Sequence, residues 1–433
     1  MSGQISEIPI LTKLSEHLSR PVTAEDSGRA RWHLLDWIGC AAAGAMEPAG
    51  IVLRRRTRAS AMDEAFVWGG LGNILEMDDV DKRALLHPGP SIVPAALSLA
   101  SEVDASLTAL LIAIVRGYEA TIRLGRAVGV GHYALWHSTG TCGSLGAAAA
   151  SASLLNLDDE HTAHAMALAL SQSAGLWHTR HDPRSMGKQL HTAVAARAGV
   201  EAVQLAQLGF KGPLSIIEGE QGFFAAMCPD GDPSAIVGSE DDKWLIQDVS
   251  FKPWPACRHA HAVIDAALAL RDEIDLQAEG EILVSTYADA LKFCDQPDPK
   301  SVIEAKFSLQ HSVAVALLRG EPSLGDFSVA SIEAADISAL RARVRVEQGA
   351  AFQNRYPARF GGSVTFGDQS KTAEDALGDP ENPMTEAQIC DKAERLLAAG
   401  GATDSQCEQL ISYVQTSKAN ARPLADMVRE VLA

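Results

Sequence analysis

Aromatic residues make up only 5% of this 433-residue chain, and basic side chains are outnumbered by acidic ones, 37 to 55, for a formal charge of −18. The shortage of positive charge argues against nucleic acid or an anionic membrane as the main partner, because both are held by basic stripes that displace counterions. Any cationic site must be local. Cysteines number seven, an odd count, at positions 40, 142, 228, 257, 294, 390 and 407. No pair stands in the close spacing of a zinc ribbon, and no disulfide framework is implied. A cytoplasmic protein is the expectation. Long apolar runs are missing too. The most apolar stretches, 143–157 and 163–177, are rich in Ala, Ser and Gly, and polar residues interrupt them before the roughly 18–20 residues of a membrane helix. They read as buried helices. The N-terminus lacks a basic segment followed by an apolar run, so secretion is not expected. Neither an internal repeat nor a low-complexity tract is present. What the chain does have is 47% apolar residues, enough for two or three domains with their own cores.

Residues 1–250 read as an all-α domain. Three- and four-residue apolar spacing recurs in Trp32, Leu35, Trp37 and Ile38, in Leu110, Ile114 and Tyr118, and in Leu154, Leu155 and Leu157. Thr23 with Asp26 three residues later predicts a capping box, and a helical segment near 187–209 ends at Gly209 with Gly212-Pro213 beyond. Alanine-rich 143–152 and 193–206 predict closely approaching helices at the centre of a bundle. After Lys252-Pro253-Trp254-Pro255 the texture changes. Strand candidates appear at 282–287, 343–346 and 358–366, alternating with helical patterns at 258–271 and 303–318. Residues 251–380 therefore read as a small α+β domain. Gly378-Asp379-Pro380-Glu381-Asn382-Pro383 breaks the chain, and Asn382 or Thr385 caps a helical tail, 381–433, that rejoins the first domain if the smaller one is an insertion. The fold class expected is mainly α, a large helical bundle built from both chain ends around a smaller α+β insert.

Histidine carries the chemical signal. Seven of the thirteen, at 132, 137, 161, 164, 178, 181 and 191, fall within one apolar helical region. Imidazole titrates near neutrality, so such a cluster suits proton transfer. His161 and His164, beside Asp158, Asp159 and Glu160, read instead as a solvated helix start. Asp78-Asp79 and His87-Pro88-Gly89-Pro90 put two carboxylates and an imidazole on a loop, before a helix starting near Ser91 whose free N–H groups suit an anion. Gly131-His132-Tyr133 and Trp136-His137-Ser138-Thr139 offer a phenol, an imidazole and hydroxyls ahead of a helix over 141–155.

Lys188-Gln189-Leu190-His191 opens a helix, with Arg180, His181 and Arg184 in the loop before it. A lysine near a helix N-terminus opposes the macrodipole, which suggests service to a ligand; lysine can also act as acid or base when desolvated. Lys252 and Cys257-Arg258-His259-Ala260-His261 add cationic groups at the domain junction. Cys257, His259 and His261 could hold a metal, but no matching ligand pair stands out, and no metal is expected. Gly140-Thr141-Cys142-Gly143-Ser144-Leu145-Gly146 resembles a phosphate loop superficially but lacks the Gly-Lys-Ser/Thr ending, so helix packing explains it better. Ser185-Met186-Gly187-Lys188 has the Ser-x-x-Lys spacing of penicillin-recognising hydrolases without their companion motifs.

Taken in order, these pieces resemble the MmgE/PrpD family, which includes 2-methylcitrate dehydratase, cis-aconitate decarboxylase and iminodisuccinate epimerase. The resemblance runs through Met77-Asp78-Asp79, His87-Pro88, Gly117-Tyr118-Glu119, Leu124-Gly125-Arg126, Gly131-His132-Tyr133, Trp136-His137, Lys188 with His191, Lys252-Pro253-Trp254-Pro255, Ala305-Lys306-Phe307-Ser308 and Gly378-Asp379-Pro380. It implies a homodimer, an active site between the domains, no organic cofactor or metal, and small di- or tricarboxylate substrates. By position it implies active-site roles for Asp79, His87, His137, Lys188 and Lys252, with Tyr133 beside them. Arg258, His259, Arg184, His191 and Thr139 are further substrate-binding candidates. So is His311, where decarboxylase and dehydratase members tend to carry tyrosine. The family also often has His at Asn73 and Asp at Glu76. The chemistry shared by such enzymes is build-up of negative charge at a carbon beside a carboxylate, which Lys188 first, then Lys252, Arg258 or Arg184, would offset. A lyase is the leading expectation. An epimerase exchanging protons from two faces is the alternative, and a non-catalytic carboxylate-binding protein is the third.

Overall fold

The structure, a computed structural model, describes residues 8–182, 184–238, 243–416 and 419–433. The chain divides into two compact units: residues up to Val249 together with Thr385–Ala433, and Ser250–Met384. The fold is mainly α with one small sheet, as the apolar periodicity predicts.

The described part of the first unit is helical, and several of its helices begin where a side chain satisfies a free N–H group. Thr23 caps the helix Ala24–Gly44, its hydroxyl accepting from Asp26 N–H while Asp26 accepts from the Thr23 N–H. Thr385 and Gln388 do the same for Glu386–Ala399, and Thr403 and Gln406 for Asp404–Gln415. The central helices are Leu107–Ala127, Ser138–Leu154 and Gly187–Gln207. They approach closely because their contact positions are small. A Cβ on Gly199 would lie 2.4 Å from Ala147 Cβ, and one on Gly117 would lie 2.8 Å from the Gly146 carbonyl oxygen. The glycines of 140–146 are thus buried helix contacts, and no phosphate loop forms. A single apolar core runs through this unit, from Leu11 and Leu14 through Trp37, Trp68, Ile92 and Leu145 to Leu424 and Val428 of the C-terminal segment.

The second unit contains four strands: β1 Ile282–Thr286, β2 Val344–Gln348, β3 Gly362–Phe366 and β4 Gln369–Ala373. Their order is β2-β1-β3-β4. β1 runs parallel to β2, with Ile282 opposite Val344, and antiparallel to β3, with Val284 opposite Val364. Ile282, Val284 and Thr286 are buried while Leu283 and Ser285 are half-exposed, the alternation of a sheet with one covered face. His261–Leu270 and Leu309–Arg319 supply helical parts of the core on which Ile282, Val284 and Val364 pack.

Two expectations shift locally. His164 is buried, with Nδ1 3.0 Å from the Gly212 carbonyl oxygen, so only His161 belongs to a solvated helix start. Residues 129–135 form a short helix, Gly129–Leu135, ahead of Ser138–Leu154. No helix among the described residues is long and apolar enough to cross a membrane.

Candidate active site

The candidate site is assembled in the first unit from the 73–89 loop, the 132–139 turn and the start of Gly187–Gln207. Its foundation is the buried carboxylate of Asp79. One oxygen accepts from His33 Nδ1 at 2.7 Å and the Tyr118 hydroxyl at 2.6 Å, and the other accepts from Gly89 N–H at 2.9 Å. A Cβ on Gly89 would sit 2.8 Å from Asp79 Oδ1, so this close approach requires glycine. Burial pushes the His33 imidazole down to about 4 against the pull of Asp79, so at neutral pH it is an uncharged donor. Burial and then Asp79 raise the Tyr118 phenol well above its usual range. The helix begins at Gly89, and its first N–H is taken by Asp79 itself. That end is not open to an anionic ligand. Asp79 therefore anchors the loop, a positioning role rather than direct contact with a reacting group.

Asp78 is the carboxylate that faces His87. Its Oδ2 lies 3.0 Å from His87 Nδ1 and accepts from Asn73 Nδ2 at 2.6 Å. The Asp79 backbone carbonyl lies 2.8 Å from the same imidazole nitrogen, and Thr139 Oγ1 accepts from the His87 N–H at 3.0 Å. With two acceptors at Nδ1, an N–H sits there, and in the neutral ring Nε2 carries the lone pair. The ring is part-exposed, 16% by side chain. This is the geometry of an oriented general base.

His137 is 2% exposed, and its Nδ1 lies 3.3 Å from His191 Nδ1. Burial holds its imidazole well below the ordinary histidine range, and the charges of Lys188, His191 and His87 act in the same direction. His191 is lowered by burial and by Lys188. Two neutral imidazoles share one N–H···N bond in either direction. If His137 donates, its Nε2 offers a lone pair; if it accepts, Nε2 offers N–H. That Nε2 is buried without a hydrogen-bond partner among the described residues. A pH titration follows from this arrangement. In the wild-type protein His137 should stay neutral where an ordinary histidine, at about 6.5, takes a proton. Lys188→Met removes one opposing charge and should move the His137 imidazole proton resonance titration upward in pH; a titration that stays in place contradicts the electrostatic coupling.

Lys188, at the start of Gly187–Gln207, is ion-paired with Glu76. The lysine that opposes its helix dipole thus has an internal carboxylate as its first partner. Glu76 adopts a left-handed backbone, φ 60°, which a non-glycine residue takes at a cost and which recurs at functional sites. Tyr133 meets the Trp177 indole edge-on at 5.8 Å, and Trp177 in turn lies 4.6 Å from the His137 ring. Thus Lys188, His87, His137, His191, Thr139 and Tyr133 converge with Asp78 and Glu76. Arg184 does not join them: it is 91% exposed and pairs weakly with Asp182 at 3.6 Å. Ser185 Oγ bonds Thr179 and the Gly187 N–H, not Lys188, so the hydrolase-like spacing forms no acyl-transfer pair.

The remaining candidates belong to the second unit. Lys252 is buried. Arg258 is ion-paired with Asp379, which also accepts from the Ser250 hydroxyl at 2.6 Å. His259 Nδ1 lies 2.7 Å from the Tyr287 hydroxyl, with its ring stacked on Phe293 and Phe360; burial, then Arg258, pushes it down to about 4. His311 is buried, with Nε2 2.8 Å from the Asp326 carbonyl oxygen and Nδ1 3.3 Å from Arg341. Both histidines are engaged within their own unit. His261 Nε2 is directed to the Ala256 carbonyl oxygen at 3.1 Å while His259 turns to Tyr287, so the Cys257/His259/His261 spacing builds no common site.

Reading the sequence missed Glu76 as a partner of Lys188, Asp78 as the carboxylate on His87, and the support behind them. Lys392, from the helix Glu386–Ala399, is fully buried and donates to Asp36 Oδ1 at 2.5 Å and to the Met77 carbonyl oxygen at 2.7 Å. Only the fold brings residues 36, 77 and 392 together.

Imidazoles, an ammonium and carboxylates held together within a helical unit make a candidate site for proton transfer. Sequence comparison narrows the reading. The MmgE/PrpD N-terminal domain matches residues 47–236 and the MmgE/PrpD C-terminal domain matches 254–416, and the chain belongs to the MmgE/PrpD family. It is 28% identical to a cis-aconitate decarboxylase of Homo sapiens over 301 residues, 65% of this chain and 60% of that protein. It is 26% identical over 462 residues to a cis-aconitate decarboxylase-like protein of Aspergillus oryzae, covering 95% of this chain and 93% of the relative. A mitochondrial 2-methylcitrate dehydratase of Yarrowia lipolytica is 24% identical over 223 residues, 47% of this chain and 41% of that one. The matched region thus spans about 60% of the length of the human relative.

Proposed function

We propose that this protein is a cofactor-independent lyase that removes carbon dioxide or water from a small di- or tricarboxylate by proton transfer at a carbon beside a carboxylate. The observation that carries the reading is His137, buried against His191 with its Nε2 unpartnered among the described residues, and kept uncharged by burial and by the neighbouring Lys188 ammonium. A neutral imidazole is ready to accept a proton, and a fixed ammonium stabilises the enediolate that results. The decarboxylases and the dehydratase among the relatives support a polycarboxylate substrate.

In elimination, His137 takes the proton from the carbon next to the carboxylate, the C–H electron pair forms the double bond, and the hydroxyl leaves as water with a proton given by the Lys188 ammonium. In decarboxylation, the bond to the departing carboxylate breaks and its electron pair stays on carbon, conjugated with the remaining acid. That carbon then takes a proton from Lys188 or from a protonated imidazole. Both schemes need the same oriented groups and differ in the leaving group.

The test is to incubate the purified protein with cis-aconitate, 2-methylcitrate, citrate and iminodisuccinate, following carbon dioxide release, vinyl-proton signals and optical rotation. Carbon dioxide or a new vinyl product is the expected result. Inversion of configuration with an unchanged carbon skeleton would make the protein an epimerase, and inertness towards all four acids would contradict the polycarboxylate reading.

A further inference from the structure

Trp177 has no task in the site as described so far. It opens a short turn, Trp177–His181, that the backbone fastens to the catalytic segment. His137 N–H donates to the Gly175 carbonyl at 2.8 Å, and Trp136 and Leu176 form an antiparallel bridge. The indole lies over the His137 ring at 4.6 Å with the planes 30° apart, Tyr133 meets it edge-on, and the Arg180 guanidinium is 5.5 Å from its centroid.

Packing alone would leave the indole N–H in water or on a protein acceptor, because a buried tryptophan N–H normally finds a partner. Trp254 donates to Asp265 at 2.8 Å and Trp244 to the Pro21 carbonyl at 3.2 Å. Trp177 Nε1 is buried and has no acceptor among the described residues, and the same holds for Nε2 of the His137 ring beside it. Trp37 and Trp68 also lack an acceptor, but they face each other at 6.2 Å inside the apolar core. Among the described residues, Trp177 alone combines an unanswered N–H with a place beside His137 and Tyr133. An unpaired donor next to an unpaired imidazole nitrogen is what a substrate carboxylate oxygen, for the donor, and the neighbouring C–H, for the nitrogen, would complete.

We propose that the Trp177 indole N–H is a substrate-binding donor that holds an oxygen of the carboxylate next to the reacting carbon, beside the His137 Nε2 that takes the proton. The role rests on the lyase reading above. An indole N–H cannot give up its proton, so it acts as a fixed dipole and strengthens its bond as charge builds on that oxygen. Its contribution is therefore largest in the transition state.

Trp177→Phe keeps the aromatic stack on His137 and Tyr133 and removes only the donor. In the full-length protein with cis-aconitate and with 2-methylcitrate, kcat/KM should fall about 10- to 100-fold, mostly in kcat, with the thermal midpoint unchanged. A second measurement does not depend on turnover: with ¹⁵N-tryptophan labelling, the indole resonance absent from the variant should shift when cis-aconitate is added to the wild type. An active wild type with unchanged kinetics in Trp177→Phe and a stationary indole resonance would overturn the Trp177 role alone. A shifting resonance without turnover would support the binding role and refute the lyase reaction. Neither turnover nor a shift with either acid would overturn both.

Discussion

Lys188→Met is expected to lower kcat by about 10²- to 10³-fold while the protein remains folded, the loss typical of removing one preorganised group that meets developing charge. The side chain stands at the start of Gly187–Gln207, where its charge gains nothing from the helix and is met by Glu76. It is only 19% exposed. In such a setting an ammonium acts through a lower effective dielectric than at the surface, and its attraction for a substrate carboxylate is correspondingly stronger. Methionine matches the length of the lysine stem and leaves the packing nearly intact, so the lost rate reports the charge. Steady-state kinetics with circular dichroism as the folding control decides the matter. Full activity in Lys188→Met would remove the ammonium from the mechanism.

The largest effect on stability is expected at a residue far from Lys188 in sequence. Lys392→Met should destabilise the protein by about 3–5 kcal/mol near pH 8, because it strands the buried Asp36 carboxylate and frees the Met77 carbonyl that precedes Asp78 and Asp79. The sign of the pH dependence follows from Asp36. Burial pushes its carboxyl up to about 6 even with Lys392 beside it, above the ordinary 3.8. A folded-state value above the unfolded one means that the folded state binds the proton more tightly, and losing Lys392, which lowers this carboxyl, raises it further, so in the variant the cost of keeping Asp36 charged disappears as pH falls, from above about 6 downward. The defect in Lys392→Met should thus shrink by pH 5. Urea unfolding at both pH values measures it. An equal loss at pH 8 and pH 5 would mean that Asp36 is not the group left uncompensated.

Local signals were legible in the chain because their causes are local. The Thr23 and Asp26 capping box is written within four residues, and the Ala- and Gly-rich runs announce close helix contacts before any partner is known. The break at Lys252-Pro253-Trp254-Pro255 falls near the change of unit at Val249. β4 escaped notice because Gln369–Ala373 is polar and mostly exposed, so it lacks the apolar alternation that marks a strand. Likewise the strand candidate at 358–366 shortens to Gly362–Phe366, preceded by turn residues.

The site was legible in residue type more than in arrangement. Histidine density pointed to the segment in which His137 and His191 meet, and Lys188 stood out because it opposes its helix. What sequence could not give was which carboxylate serves which imidazole. Asp78 and Asp79 are adjacent, yet one turns to His87 and the other inward to His33, Tyr118 and Gly89. That division depends on Leu107–Ala127 bringing Tyr118 against the loop, a contact between residues 39 apart. Lys392 is 315 residues from the Met77 carbonyl it holds, and no periodicity in either segment hints at the pairing.

The most direct measurement of the central claim, that His137 and His87 move a proton at a carbon beside a carboxylate, is proton NMR in deuterium oxide. It would compare the wild type with His137→Gln and His87→Gln on whichever acid the wild type converts. The expected result is solvent deuterium at a single carbon of the product or recovered substrate with the wild-type protein, and turnover or exchange about 10²- to 10⁴-fold slower in at least one of the two variants. Undiminished deuterium incorporation and turnover in both variants would contradict it and place the proton transfer on other residues.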